Sequence, residues 1–94
     1  MNDRLRSEKL NDLFHAVLNL QSVDDCYDFF EDLCTIPEIL AMEQRFQVAK
    51  MLSQGHVYSE IVKETGASTA TISRVNKCLN YGTDGYKKAL GLKK

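Results

Sequence analysis

One proline, Pro37, interrupts a chain of 94 residues whose apolar side chains recur at the three-and-four spacing of a helix face. No stretch alternates apolar and polar residues with the two-residue period of a half-buried strand. Together these features predict an all-α fold. Leu10, Leu13, Phe14, Val17 and Leu18 mark a first helix over about residues 5–20. Ser22, three residues before Asp25, is placed to cap a second helix that carries Cys26, Phe29, Phe30 and Leu33. Thr35 opens a third. Its hydroxyl can accept from the backbone N–H of Glu38, Glu38 can reach back, and Pro37 sits where no helical N–H is required. Ile36, Ile39, Leu40, Phe46, Ala49 and Leu52 carry that helix to about Ser53, and Gly55 supplies a left-handed stop. A short helix over about 58–64 then ends at Gly66. A fifth, over about 69–79, has Ser68 as its N-cap. The turn-like run Tyr81-Gly82-Thr83-Asp84-Gly85 leads into a last helix at 86–90. The expected organisation is one six-helix domain: residues 1–53 for dimerisation, 58–80 as a helix-turn-helix, and 81–94 as a C-terminal helix with a basic tail.

A chain of this length buries only about 60–65% of its unfolded surface, so its core is thin and a partner would help it. The apolar faces of the first two helices need such a partner, and a homodimer is expected. No apolar run approaches the roughly 18 residues of a membrane span, and the N-terminus lacks the apolar core of a signal peptide. A cytoplasmic protein with no membrane partner is expected. Cys26, Cys34 and Cys78 are widely spaced, and His15 and His56 stand alone, so neither a metal site nor a cofactor is expected. The three cysteines read as reduced, buried or half-buried thiols. No Ser/His/Asp or Cys/His grouping and no glycine-rich phosphate loop supports an enzyme.

Charge separates the two halves of the chain. Residues 1–43 carry three basic and ten acidic side chains, a net −7, whereas residues 44–94 carry nine and three, a net +6. Such asymmetry points to an anionic partner for the basic half. Within that half, Tyr58 to Leu79 reads YSEIVKETGASTATISRVNKCL. Two short helices meet at Gly66, where a turn needs a residue that tolerates positive φ. Ile61 and Val62 on the first helix, with Ile72 and Val75 on the second, are placed to lock them at a steep angle. The other face of the second helix is small, hydroxylated or basic: Thr69, Ala70, Thr71, Ser73, Arg74 and Lys77. Short side chains let a helix approach the major groove, Thr and Ser bond bases or phosphates, and Arg forks onto guanine. Free N–H groups at its start, around Ser68, suit a phosphate. Tyr58 and Ser59 at the start of the preceding helix complete the expected double-stranded DNA contact set. A solvated bundle helix would carry more Glu and Lys and fewer β-branched residues. The competing class is a helical protein–protein adapter using the same fold without DNA, since fold does not fix function.

From about Leu33 to Leu79, roughly half the chain, the sequence resembles the tryptophan-repressor family, and in particular its YerC/YecD-like branch. The shared runs are Thr35-Ile-Pro-Glu38, Glu43-Gln-Arg45, Leu52-Ser-Gln-Gly55 and Gly66-Ala-Ser-Thr-Ala-Thr-Ile-Ser-Arg74. The resemblance implies a six-helix protomer and an intertwined homodimer presenting two recognition helices to a palindromic operator. It implies a DNA-binding transcriptional regulator of the repressing kind. It also implies an effector pocket in which Arg45 and Arg74 sandwich an indole and Thr35 contacts a carboxylate. Two positions depart from the pattern: Val75 stands where tryptophan repressors have glycine, and Cys78 where a serine helps hold the ammonium group. Val75 places a branched side chain where an indole needs open space, so L-tryptophan is not expected to be required.

Overall fold

The structure, a computed structural model, describes residues 5–93. Among them lie six helices and no strand: α1 (Glu8–Leu18), α2 (Val23–Leu33), α3 (Ile36–Ser53), α4 (Tyr58–Thr65), α5 (Thr69–Tyr81) and α6 (Gly85–Ala89). The all-α fold is as the apolar spacing predicts. The chain separates into two units, one ending at Ile39 and the other beginning at Leu40.

In the first unit, capping sets the helix limits. Ser7 is extended, and its hydroxyl accepts from the Leu10 N–H at 3.0 Å, so α1 starts three residues later than expected. At the other end the Asn19 N–H donates to the Ala16 carbonyl and the Leu20 N–H to that of Val17, each at 3.1 Å, three-residue bonds that tighten the turn and leave Leu20 outside the helix. Ser22 caps α2 as expected, accepting from the Asp25 N–H at 3.0 Å. The Asp25 carboxylate reaches one residue further back than a reciprocal box requires, accepting from the Gln21 N–H at 2.9 Å. Thr35 and Glu38 form the predicted reciprocal pair, with the Thr35 N–H donating to Glu38 at 2.8 Å and the Glu38 N–H to the Thr35 hydroxyl at 3.3 Å. Phe29 and Phe30 meet edge to face at 5.4 Å. Yet neither α1 nor α2 has a buried residue. Leu18, Val23 and Ile36 are each more than 70% exposed.

The second unit holds the core: Val48 and Ala49 of α3, Ile61 of α4, Ala67, and Ile72 and Val75 of α5. Met51, Leu52, Tyr58, Tyr86 and Leu90 pack around it. At the end of α3, Gly55 takes φ +86°. The His56 N–H reaches the Met51 carbonyl and the Gly55 N–H that of Leu52, the paired bonds of a Schellman stop. α5 runs to Tyr81, beyond the expected 79, and the last helix begins at Gly85 rather than Tyr86. The expectation of buried or half-buried thiols holds only for Cys34: Cys26 and Cys78 are exposed, because α2 buries nothing and Cys78 faces away from the core side of α5.

Candidate nucleic-acid interface and neighbouring cleft

The α4–α5 junction is fixed by local chemistry. Gly66 takes φ +71° and its N–H donates to the Val62 carbonyl at 2.9 Å, ending α4. The Thr65 hydroxyl donates to the Ile61 carbonyl at 2.7 Å and accepts from the Ala67 N–H at 3.1 Å, so it satisfies both sides of the turn. From α3, the Gln44 side-chain amide donates to the Thr65 carbonyl at 3.1 Å. Ile61, Ala67 and Ile72 are buried at this junction. Val62, expected to lock the helices, is instead 37% exposed. Adjacent residues on a helix point about 100° apart, so Ile61 and Val62 cannot both face inward. Ala67, small enough to sit between the helices, takes the second place.

The helical period divides α5 into three strips. Ile72, Val75 and Leu79 face the core. Thr69, Ser73 and Lys77 follow one another at four-residue steps on the exposed side, with Ala70 beside them. Thr71, Arg74 and Cys78 form the third strip. No Asp or Glu occurs on α5. Ser68 is the N-cap, its hydroxyl accepting from the Thr71 N–H at 3.1 Å. The same hydroxyl donates to the Thr71 hydroxyl at 3.1 Å. Thr71 is half-buried and turned toward its own cap rather than standing free with Ser73. At the start of α4, Ser59 is exposed, whereas Tyr58 is half-buried against the core. Among the residues expected to meet DNA, Ser59, Ser68, Thr69, Ala70, Ser73, Arg74 and Lys77 are exposed.

A cleft of about 410 Å³ opens beside α5. Its walls include Gln44 and Arg45 from α3 and Thr71, Arg74, Val75 and Cys78 from α5. Ala41 and, from α6, Tyr86 complete it. The structure thus brings four of the five expected pocket residues together. The fifth, Thr35, belongs to the other unit, and its hydroxyl serves the cap of α3. Val75 is only 2% exposed, so most of its side chain belongs to the core and a small part to the cleft wall. Sequence reasoning missed Ala41, Gln44, Thr71 and Tyr86 as lining residues. Ala41 lies one turn before Arg45, and Thr71 one turn before Arg74, so helical spacing alone would have found those two.

The charges around this region are distributed unevenly. Arg45 and Arg74 are exposed, and no ion pair to either forms among the described residues. Asp84, the one acid after Glu64, lies 2.5 Å from the Lys93 ammonium and 3.9 Å from that of Lys87. The hydrogen bond from Lys93, reinforced by the charges of Lys93, Lys87 and Lys88, holds its carboxyl below the usual carboxylate range. Glu60, at the start of α4, is also lowered, first by the Val57 N–H that donates to it at 3.1 Å and then by His56 at 3.4 Å.

The family described as Trp repressor protein matches residues 8–93. The chain belongs to the Trp repressor family. The Bacillus subtilis protein YerC is 56% identical over 88 residues, covering 94% of this chain and 85% of YerC. A TrpR-like protein from Eubacterium eligens superposes with a TM-score of 0.89 at 53% identity, covering 99% of each chain. A candidate Trp repressor from Staphylococcus aureus gives 0.89 at 46% identity, covering 100% of this chain and 98% of that one. This Trp repressor family member therefore shares its fold with both structures over essentially its whole length. No helix among its described residues is long and apolar enough to cross a membrane.

Proposed function

We propose that this protein is a cytoplasmic, homodimeric, sequence-specific DNA-binding regulator that represses transcription from a palindromic operator. The observation that carries the reading is the exposed face of α5: Thr69, Ala70, Ser73, Arg74 and Lys77, with no acid on the helix. Ser73 and Thr69 are the base-reading candidates, and Lys77 the phosphate contact. Thr71, tied to Ser68, acts by holding the first turn. Membership of a family of regulators supports the same reading. The unburied apolar faces of α1 and α2 support a second copy as their cover, and a two-fold dimer sets two recognition helices about 34 Å apart, one turn of DNA. The cleft beside α5 is the effector site. Repression does not require L-tryptophan, because Val75 occupies the cleft wall and is anchored in the core.

Selection of bound sequences from random DNA tests the central reading, with a two-fold-symmetric consensus expected. Ser73→Ala should relax base preference by about 1–3 kcal/mol if it makes a strong contact. Lys77→Ala should weaken all DNA alike and flatten the salt slope by about one unit. Sedimentation should give twice the 10.7 kDa chain mass. Absence of salt-dependent retention on DNA, with the dimer intact, would leave the adapter reading in its place. For the effector, calorimetric titration with L-tryptophan should show no tight binding. Val75→Ala is the cleaner companion variant, since Val75→Gly would also open the core and loosen α5.

A further inference from the structure

α3 holds the helix-turn-helix in two ways. Val48 and Ala49 are fully buried with Ile61 and Ile72 in the core. One turn earlier, on the same face of α3 as Val48, stands Gln44. Its side-chain amide donates to the Thr65 carbonyl at 3.1 Å, across 21 positions of sequence. Every other side-chain hydrogen bond among residues 40–93 joins positions nine or fewer apart. Thr65 is the last residue of α4, and its carbonyl is one of those that a helix end leaves without a partner from its own helix. Both Gln44 and Thr65 are half-buried. The Thr65 hydroxyl takes the Ala67 N–H, so the turn into α5 is tied to α4 on one side and to α3 on the other.

We infer that Gln44 is a positioning residue for base preference: through the Thr65 carbonyl it fixes the angle at which α5 is presented to DNA. The inference rests on the reading of α5 as the recognition helix. Apolar packing is non-directional, so the patch around Val48 brings α5 onto α3 but sets its rotation loosely. A hydrogen bond is directional and weakens steeply as its angle closes. Placed one turn from the apolar patch, it supplies the second point that resists rotation. Ser73 stands about 6 Å along α5 from Thr69. A tilt of about 10° about the start of the helix would move it about 1 Å, roughly twice the width of the distance window for a hydrogen bond to a base. The same tilt would move Lys77 about 2 Å, which its flexible stem can take up, because an ammonium meets phosphate as a point charge. Losing the Gln44 bond should therefore cost discrimination between sequences before it costs hold on DNA.

Two variants of the full chain test this. Gln44→Met keeps the length of the side chain and removes the donor, and Gln44→Glu keeps its shape but offers only acceptors at neutral pH. Three quantities are read: affinity for the consensus selected from random DNA, affinity for a scrambled duplex of the same composition across a salt series, and the orientation of α5 relative to α3 in the DNA-free chain, from residual dipolar couplings. Both variants should lose about tenfold of the consensus-over-scrambled ratio, the scale of one impaired base contact. Gln44→Met should hold the scrambled duplex to within about twofold of the parent, with the same salt slope, since no phosphate contact is lost. In both, α5 should turn relative to α3. An unchanged ratio or an unturned α5 in Gln44→Met would overturn the inference while leaving the regulator reading intact. Equal loss of both duplexes in that variant would also overturn it, because it would mark Gln44 as serving stability alone. Preference kept in Gln44→Glu but lost in Gln44→Met would show that the donor is not the cause. A parent chain that binds neither duplex, with α5 turned in both variants, sinks the regulator reading alone.

Discussion

Ile72 is the side chain through which α5 is held, and truncating it to alanine tests whether the small core positions the recognition helix. It is fully buried in the cluster with Val48, Ile61 and Val75. Alanine removes three carbons beyond Cβ. At about 0.8 kcal/mol each, their lost burial costs about 2.4 kcal/mol. If the junction closes only partly and leaves a void on the order of 50 Å³, the cavity adds about 1.2 kcal/mol. A total near 3.5 kcal/mol is a large share of the 5–15 kcal/mol typical of a domain. Urea unfolding followed by helical circular dichroism, at one fixed protein concentration, should show the midpoint falling with its slope unchanged. DNA retention should weaken in parallel at temperatures where part of the chain has unfolded. Ile36→Ala is the companion variant. In the isolated chain Ile36 is 72% exposed, so truncation there should cost less than about 0.5 kcal/mol. If a second copy covers it, the cost appears as a weaker dimer at high dilution. A loss below about 1 kcal/mol for Ile72→Ala would refute the argument, because it would mean that the junction is not held by this core.

Gly66→Ala should destabilise by about 1–2 kcal/mol through the left-handed backbone alone, since nothing lies within 4 Å of the added Cβ at φ +71°. Thermal unfolding checks it, and an unchanged midpoint would show that the turn can relax. Gly82→Ala should cost more although its φ is ordinary, because the new Cβ would overlap the Cys78 carbonyl oxygen and the last turn of α5 would have to shift. Acid unfolding should depend on Glu38 and Glu60, both lowered from 4.5, mainly by backbone N–H donors from Thr35 and Val57 respectively. A depressed carboxylate contributes stability that is present above its unfolded value and lost as pH falls through the folded one. Stability should therefore fall below about pH 4.5, and Glu38→Gln should flatten that limb in a urea titration repeated across pH.

The parts of the fold that were legible in the sequence are those fixed by residues a few positions apart. Ser22, Thr35 and Ser68 cap as their spacing predicts, and Gly55 and Gly66 end their helices with positive φ. Ser7 escaped notice because the apolar run behind it suggested a longer helix, whereas its cap bond decides where α1 begins. At the interface, the exposed strip Thr69, Ser73 and Lys77 was readable from period alone. What period does not give is the direction of a hydroxyl or the choice between two adjacent apolar residues. Thr71 turns to Ser68 through a bond between two hydroxyls three residues apart, and Val62 yields the junction to Ala67 because only one of the adjacent Ile61 and Val62 can face inward. Tyr86 enters the cleft from α6 by packing against helices distant in sequence. Its neighbours in sequence are turn residues and lysines, and nothing local marks it as a wall.

The three strips of α5 also limit how a ligand in the cleft can influence DNA binding. Arg74 belongs to the strip that lines the cleft and is itself exposed, and Val75, its neighbour, is in the core. A ligand on Arg74 therefore acts on a helix whose opposite side is fixed by Ile72 and Leu79 and whose start is fixed by Ser68. With the core strip packed, α5 responds as a whole body rather than residue by residue, by tilting about that strip. A ligand shifts such a tilt only to the extent that it binds one orientation better than the other. To change operator affinity tenfold it must distinguish the two by about 1.4 kcal/mol, and DNA must change ligand affinity by the same factor. That reciprocity offers an assay independent of the ligand's natural identity: a small molecule that occupies the cleft, titrated with and without bound DNA, should change DNA affinity by the same factor, and in the same direction, as DNA changes its own. A DNA affinity that moves while ligand affinity stays fixed would contradict a tilt shared by both sites.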